Sequence, residues 1–415
     1  MSEIRSASLA PFGEKKIEWV SRNMPLLNSI KRDFEHDKPF DTMRVTVCIH
    51  VEAKTAYMAR ILAAGGAKVA VTGCNPLSTQ DDVAAALADG GIETFAMHGV
   101  NSCDYTRLLD RALDIRPNLF IDDGGDLLDV ISVGRRDLIS DIIAGTEETT
   151  TGILRLRARE AEGGLSVPMI AVNDADCKHL FDNRYGTGQS VWNGINSATN
   201  LIVAGKTAVI AGYGWCGKGC AMRAKGLGAR VIVCEVNAVR ALEAYMDGFE
   251  VMSMDLACAI GDIFITVTGC EDVIVKRHFE KMKDGVILAN AGHFDVEISK
   301  PDLEAASVEH YQSREHIETY VTSDKRRLNL LAQGRLVNLA AGDGHGAEIM
   351  DMSFAVQLLT LRYAAENGAK LEKKVYNVPK EIDRAVAEMK LNTMGVTIDE
   401  LTEKQRKYLA VLSVV

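Results

Sequence analysis

The sequence predicts an α/β protein: two Rossmann-like doubly wound parallel-sheet domains with a C-terminal helical tail. Three observations carry that expectation. Short apolar, β-branched runs alternate with helical stretches along the first third of the 415-residue chain, and the alternation returns more regularly through the middle. The second series opens on a strand that runs straight into a glycine-rich turn and a helix. Beyond about residue 347 the strand-like runs stop and the chain reads as helix. Strands alternating with helices build parallel sheets covered on both faces, because each crossover lays its helix against the sheet.

Taken in order, VTVCIH (45–50) reads as a strand, EAKTAYMARILAAGG (52–66) as a helix and AKVAVTG (67–73) as the next strand. Ser78, with Asp81 three residues on, predicts an N-terminal cap for a helix running through Leu87. NLFIDDGG (118–125) and PMIAVND (168–174) have the length and apolar content of buried strands. In the middle, KTAVIAGYG (206–214) enters the glycine turn and CAMRAKGLGA (220–229) reads as helix. RVIVCEV (230–236), DIFITVTG (262–269) and GVILANAG (285–292) are the strands that follow. MDMSFAVQLLTLRYAAEN and EIDRAVAEMKL make the helical end.

Composition narrows the function classes. With 47% hydrophobic and 25% charged residues the chain has the balance of a globular protein and is not disordered. A net charge of −10 argues against a nucleic-acid surface. No run approaches the ~18–20 apolar residues of a membrane span, and the N-terminus lacks an apolar signal core, so a cytoplasmic location is expected. The nine cysteines are odd in number and form no CxxC pair or zinc-type spacing, which predicts reduced thiols and no metal site. Glycine is abundant at 35 residues while proline is scarce at 8, a pattern that points to tight turns and close backbone approach to a ligand.

The glycine turn carries the first chemistry. Gly212-Tyr-Gly214-Trp-Cys-Gly217 fits G-x-G-x-x-G directly between a strand and a helix. The first glycine permits the turn, the second lets backbone reach a pyrophosphate, and the third allows close helix–strand packing, with phosphate at the helix N-terminus. Glu235 ends the next strand at roughly the 20-residue distance where a carboxylate meets the ribose hydroxyls. An acid there repels a 2′-phosphate, so NAD is expected rather than NADP.

Other polar groupings exceed what a core needs. Asp122-Asp123-Gly-Gly-Asp126 lies at a strand's C-terminal end, where α/β proteins bind ligands. Glu147-Glu148-Thr149-Thr150-Thr151-Gly152 joins carboxylates to hydroxyls, and Lys178 and Asp182 would share a helix face at i, i+4. His50, His293 and His345 stand beside glycines or strand ends. Each alone also suits a turn, a cap or a surface ion pair. Together, next to a dinucleotide site, they suggest acid–base chemistry, with Lys178 brought down from ~10.4 toward ~7–8 so that it works as a base.

These segments together resemble the S-adenosylhomocysteine hydrolase family over nearly the whole chain. The motifs are NPLSTQDD (75–82), DDGGDL (122–127), EETTTG (147–152), VND (172–174), FDNRYG (181–186), AGYGWCGKG (211–219), KRHFEKMKDGVILANAGHFDVEI (276–298) and GRLVNLAAGDGH (334–345). The resemblance implies a methylation-cycle enzyme of one-carbon metabolism, a homotetramer with tightly bound NAD, acting on a nucleoside thioether. The 3′-hydroxyl is oxidised, the acidified 4′ proton leaves, homocysteine is expelled, water adds and the ketone is reduced again.

By the same resemblance, Lys178, Asp182 and Asn183 act near the 3′-hydroxyl and Glu148 binds the ribose. His50 and Asp123 handle protons around C4′ and C5′, assisted by His293. His345 closes on the base, and Asn75 and Gln80 approach the homocysteine end. Cofactor contacts are expected at Thr149, Thr150, Thr151, Asn183, Gly212, Gly214, Trp215, Cys216, Gly217, Glu235, Asn290, Ala291, Gly292, Asn338 and His345.

Three departures stand out. Thr187 replaces a cysteine common in the family after the YG, and the chain ends KYLAVLSVV without the K-P-D-H-Y-R-Y tail through which many relatives touch a neighbour's NAD. His50-Val-Glu52-Ala-Lys54 stands where longer relatives carry H-M-T-x-Q. Glu52 and Lys54 are therefore expected at the purine edge, and a lysine, being only a donor, suits a 6-oxo group better than a 6-amino group. S-inosylhomocysteine thus becomes an alternative substrate. The expected division is a substrate domain over 1–186 completed by 346–378, an NAD domain over 187–345 and a helical tail over 379–415. An NAD-dependent dehydrogenase and a catalytically silent NAD- or nucleoside-binding regulator are the rival readings.

Overall fold

A computed structural model describes residues 2–412 of the chain; residues 413–415 of the expected tail lie outside the described residues. The first strands are β1 (Arg44–Cys48), β2 (Lys68–Thr72), β3 (Glu93–Phe95), β4 (Leu119–Asp122), β5 (Ala144–Glu147) and β6 (Met169–Ala171). Then come β7 (Thr207–Ala211), β8 (Arg230–Cys234), β9 (Glu250–Val251), β10 (Ile263–Thr266), β11 (Val286–Asn290), β12 (Ser307–Arg314), β13 (Ile317–Thr322), β14 (Arg327–Leu331) and β15 (Val375–Asn377). They form a seven-stranded sheet, β15-β6-β5-β4-β1-β2-β3, and an eight-stranded sheet, β12-β13-β14-β11-β10-β7-β8-β9. In both, the first strand of the unit lies centrally and the order reverses beside it, between β1 and β4 and between β7 and β10. That is the doubly wound order with its topological switch point.

The first sheet is parallel throughout, and its central strands are buried on both faces; β4 accordingly reads as a continuous apolar run, whereas β5, Ala-Gly-Thr-Glu, is buried without that signature. The second sheet departs from the all-parallel expectation: β13 runs antiparallel between β12 and β14. Short connections around Glu315-His316 and Asp324-Lys325, with positive φ at His316 and Lys325, form hairpins there instead of helical crossovers. The glycine-turn helix is Trp215–Gly226, starting directly at the turn rather than near residue 220.

Ser78 does not cap the helix that follows it. That helix is Asp81–Asp89, its N-cap is Gln80 without a side-chain bond, and Asp81 and Asp82 fill its first turn, where carboxylates complement the helix dipole. Ser78 turns the other way, toward His50.

The chain returns to the first sheet through the helix Ala347–Asn367 and the edge strand β15. Met350, Phe354, Leu358 and Leu361 of this helix pack in the same core as Val45, Val47, Ile121 and Ile170. Asp351, fully buried, accepts the Leu26 and Leu27 backbone N–H groups at 3.2 and 3.0 Å and so caps the helix Pro25–Asp37. The helix Lys380–Thr393 also docks on this unit, where Asp383 accepts the Asp176 and Cys177 N–H groups at 2.7 and 2.8 Å. Among the described residues, the segment beyond it stands free of the core and ends in the helix Glu403–Leu412.

Candidate active site

The carboxyl ends of the two sheets meet in one cleft of about 820 Å³, large even among ligand pockets. One wall carries residues that follow β1, β4 and β5, and the other carries the turns after β7, β8, β10 and β11. Position at the switch points, rather than proximity in sequence, brings these groups together.

Lys178 is the centre of the first cluster. Its Nζ lies 2.9 Å from Asn183 Oδ1, 3.3 Å from Asn173 Oδ1, 3.2 Å from Asp182 Oδ1 and 3.4 Å from Glu148 Oε1. Residues His179–Gly186 wind as a π-helix, so Lys178 reaches both Asp182 at i+4 and Asn183 at i+5. The returning helix completes the cluster: Ser353 Oγ donates to Asp182 Oδ2 at 2.7 Å and Gln357 Nε2 to Glu148 Oε2 at 2.6 Å.

Charge is distributed unevenly here. Burial works against the Lys178 ammonium, but the Asp182 and Glu148 carboxylates outweigh it and hold the lysine above its ordinary range. This corrects the expected lowering of Lys178, whose neighbours favour its protonated form. Burial pushes Glu148 up to about 7, opposed by Lys178 and reinforced by Asp182. For Asp182 burial is overcome by Lys178 and His345, and its carboxyl stays below the usual range. Glu148 is thus the carboxylate of this cluster able to exchange a proton near neutral pH.

The second cluster surrounds Asp123. His50 Nε2 is 3.3 Å from Asp123 Oδ2, and His293 Nδ1 is 3.8 Å from Oδ1. Cys74 Sγ donates to Asp123 Oδ2 at 3.2 Å and lies 3.3 Å from His50 Nδ1, which also meets Ser78 Oγ at 2.7 Å. Burial drives the His50 imidazole down to about 4, more than Asp123 restores, so the ring is neutral at pH 7. Gly124 makes the approach of His293 possible: with φ +107, a Cβ there would lie 2.2 Å from His293 Nε2.

Behind both clusters lies a buried acid that the sequence reading left unassigned. Glu147 Oε1 accepts the Gly124 and Thr149 N–H groups at 2.9 and 3.0 Å, while Oε2 is buried without a partner. Burial, with Asp122 and Asp123 nearby, raises Glu147 well above the usual carboxylate range and so favours its neutral form. Gly152 makes room for it, since a Cβ there would come within 2.1 Å of Glu147 Cδ.

The opposite wall is the cofactor cradle. Gly212 adopts φ +104, and at Gly217 a Cβ would lie 2.0 Å from Gly212 O, so the turn and its helix pack as the motif requires. Glu235 accepts the Tyr213 N–H at 2.7 Å and the Val236 and Asn237 N–H groups at 2.7 and 2.9 Å, fixing an acceptor beside the turn. Asn338 Oδ1 is buried and unpartnered at the cleft wall, an acceptor that a cofactor amide would satisfy. Turn, acid and orphaned amide oxygen fit a dinucleotide carrying a free ribose diol.

Thr149, Thr150, Thr151, Asn183, Gly214, Trp215, Cys216, Ala291, Gly292 and His345 also line the cleft. His345 Nδ1 is 3.1 Å from Asp182 Oδ1 and its Nε2 is 3.2 Å from Thr187 Oγ1. Four of the residues given a substrate or cofactor role from the sequence do not line it. Asn75 Oδ1 accepts the Leu77 N–H at 2.9 Å as a turn brace, and Gly217 is spent on packing. Asn290, fully buried, ties the carbonyls of Gly292, Phe294 and Gly334 together. Gln80 donates to Asp343 Oδ1 at 3.3 Å, bridging the two units outside the cleft.

The sequence reading missed Cys74, Ser78, Asn173, Ser353 and Gln357. NPLSTQDD and VND contain Ser78 and Asn173 and offered a signal for them; Ser353 and Gln357 stand in an ordinary helical pattern and offered none.

Glu52 and Lys54 form a buried pair at 2.6 Å, and Lys54 Nζ also donates to the Asp343 carbonyl at 2.8 Å. Glu52 caps the helix Ala53–Ala64, accepting the Lys54 and Thr55 N–H groups at 3.0 and 3.1 Å and the Thr55 hydroxyl at 3.3 Å.

Two family models match the chain: S-adenosyl-L-homocysteine hydrolase over residues 2–144, and S-adenosyl-L-homocysteine hydrolase, NAD binding domain, over residues 183–344. A protein of Thermococcus kodakarensis named adenosylhomocysteinase is 58% identical, the match spanning 98% of this chain and 96% of that one. One of Pyrococcus abyssi with the same name is 57% identical over the same shares. A protein of Methanocaldococcus jannaschii named S-inosyl-L-homocysteine hydrolase is 54% identical across 99% of this chain and 98% of that one.

Proposed function

Because the chain belongs to the S-adenosyl-L-homocysteine hydrolase family, we propose that it cleaves S-adenosyl-L-homocysteine reversibly to adenosine and L-homocysteine, with NAD as resident cofactor. The observation that carries the reading is one cleft with an NAD cradle on one wall and two separate proton-handling clusters on the other. Bound NAD supplies a hydride acceptor for the ribose 3′ carbon and returns the hydride at the end of the cycle.

The residues divide the remaining work. Lys178 and Glu148, 3.4 Å apart, act as a pair that accepts the 3′-hydroxyl proton; Asp182 and Asn183 hold the lysine in place. A pair is needed because the lysine alone keeps its proton. His50, neutral in the cleft, takes the 4′ proton and returns one to the leaving thiolate, with Asp123 orienting it and His293 assisting. Thr149, Thr150, Thr151, Glu235, Asn338 and the glycine turn hold the cofactor. The reading is tested by incubating the purified protein with S-adenosylhomocysteine. Adenosine and homocysteine are expected with no net NADH, and steady NADH accumulation would point to a dehydrogenase instead.

A second reading, S-inosyl-L-homocysteine as substrate, is favoured by the Glu52–Lys54 pair. A carboxylate offers about four lone-pair sites, and four donors already occupy Glu52. A 6-amino group finds no free acceptor there. Lys54 has given two donors, to Glu52 and Asp343, and keeps one for a 6-oxo group. Comparing kcat/KM for the two thioethers decides it, and a strong adenosyl preference would overturn the second reading.

We also propose a substrate unit over 1–186 and 346–378, an NAD unit over 187–345 and a terminal segment over 379–415, assembled as a cytoplasmic homotetramer. The division is supported by which strands share a sheet. Assembly is supported by apolar side chains exposed together on the helix Ala238–Met246, namely Val239, Leu242 and Met246, and by Ile398, Leu401 and Tyr408 near the end. A cytoplasmic setting is supported by the free state of the cysteines and by the lack, among the described residues, of a helix long and apolar enough to cross a membrane. Light scattering during gel filtration tests the assembly.

A further inference from the structure

Three residues far apart in the sequence converge at the floor of the cleft. One donor atom from each of His50, Cys74 and Asp123 lies within 4.8 Å of the other two. Cys74 Sγ is 3.2 Å from Asp123 Oδ2 and 3.3 Å from His50 Nδ1, and His50 Nε2 is 3.3 Å from Asp123 Oδ2. Tetrahedral zinc bonded to sulfur at ~2.3 Å and to nitrogen and oxygen at ~2.0–2.2 Å sets its ligands about 3.3–3.7 Å apart. With His50 Nε2 as the ring donor, its 3.3 Å to Asp123 Oδ2 and the 3.2 Å from Asp123 Oδ2 to Cys74 Sγ are at ligating separation, and the Cys74–His50 pair lies within the 4.8 Å bound, close enough for side-chain rotation to complete the set. We propose that His50, Cys74 and Asp123 form an inhibitory site for a thiophilic divalent cation of the zinc class.

The chemistry of the donors selects the ion. One thiol, one imidazole and one carboxylate make a mixed S, N, O set that suits zinc and discriminates against magnesium and calcium, which prefer all-oxygen shells. Ser78 Oγ, 2.7 Å from His50 Nδ1, steadies the ring from behind. His50 and Asp123 line the cleft while Cys74 is buried beneath them, so the fourth coordination position opens toward the substrate. Binding exchanges the Cys74 thiol proton for the metal, with no change of oxidation state. It also withdraws His50 and Asp123 from proton transfer, which is why the site inhibits. That last step rests on the acid–base roles proposed above; metal capture itself does not.

The test uses the NAD-loaded protein with Zn²⁺ and, as a spectroscopic probe, Co²⁺. Micromolar Zn²⁺ is expected to suppress turnover, a chelator to restore it, and Mg²⁺ at the same concentration to leave it unchanged. Co²⁺ is expected to give a thiolate-to-cobalt charge-transfer band that nucleoside suppresses by competition. Cys74→Ser should abolish the band and raise the half-inhibiting zinc concentration at least about tenfold. The double variant Cys103→Ser/Cys270→Ser, which removes the exposed thiols, should keep both responses.

The site is overturned if the band survives in Cys74→Ser, if wild type shows no band, if nucleoside does not compete, or if the double variant loses the responses. A normal band without inhibition keeps the metal site and instead refutes the roles assigned to His50 and Asp123. If Cys74→Ser does not fold, nucleoside competition for the band in wild type decides the matter.

Discussion

Replacing Glu147 separates what its shape does from what its charge does. The residue is fully buried, braces Gly124 and Thr149 through Oε1, and is pushed toward its protonated form because burial and the nearby Asp122 and Asp123 carboxylates oppose ionisation. Glu147→Gln keeps an oxygen that accepts both N–H groups at the same reach but places an amide NH2 where Oε2 lies buried without a partner, so its cost should be about 1–3 kcal/mol. Glu147→Ala leaves two buried donors unsatisfied at ~1–3 kcal/mol each, about 2–6 kcal/mol together. For a unit of this size that lowers Tm by roughly 5–20 °C. The loops it releases carry Asp123 on one side and Glu148 on the other, so turnover should fall with Tm in the alanine variant and persist in the glutamine variant. Thermal unfolding and product formation by the NAD-loaded protein measure the two effects. Equal damage from glutamine and alanine would refute the reasoning, because it would mean that a negative charge, not a neutral brace, is required.

Other consequences are equally direct. With Glu148 near 7, kcat/KM should rise as pH increases through about 7, when its carboxylate becomes free to accept a proton; Glu148→Gln should remove that limb from the profile. Gly124→Ala, whose Cβ would overlap His293, should cut kcat by about a hundredfold. Gly91→Ala, also at positive φ but facing open space, should leave turnover intact. His50 titrates at about 4 in the folded protein against 6.5 ordinarily, so it takes up its proton more readily once unfolded. Its stabilisation is complete above pH 6.5 and lost on acidification toward 4. Between pH 7 and 5 wild type should lose about 2 kcal/mol more than His50→Gln in urea unfolding.

Much of this molecule is legible in the residues because its chemistry is local. The glycine turn, Glu235 and the acids after β4 and β5 are written as short contiguous motifs at strand ends, the places a doubly wound sheet exposes to ligands. What the chain hides depends on distance or on backbone winding. Lys178 contacts Asn183 as well as Asp182 only because the turn is wound as π, which an i, i+4 reading does not anticipate. Ser353 and Gln357 look like polar positions on an ordinary helix until its return places them on Asp182 and Glu148. Cys74 has no cysteine or histidine at metal spacing, because its neighbours arrive from β1 and β4. The strands β12–β14 are partly exposed and charged, and hairpins rather than crossovers link them, so they lack the buried apolar signature of the other strands.

The returning helix also dictates an order of assembly. The core under the first sheet needs Phe354, Leu358 and Leu361, and its edge needs β15, yet all of these are synthesised after β7–β14 are complete. A chain emerging from the ribosome, N-terminus first, can close its second sheet while the core of the first still lacks the part supplied by the returning helix. The earlier half must wait, with part of its core uncovered, until residues beyond 347 emerge and seal it. Chaperone demand during synthesis is therefore concentrated on the segment made first.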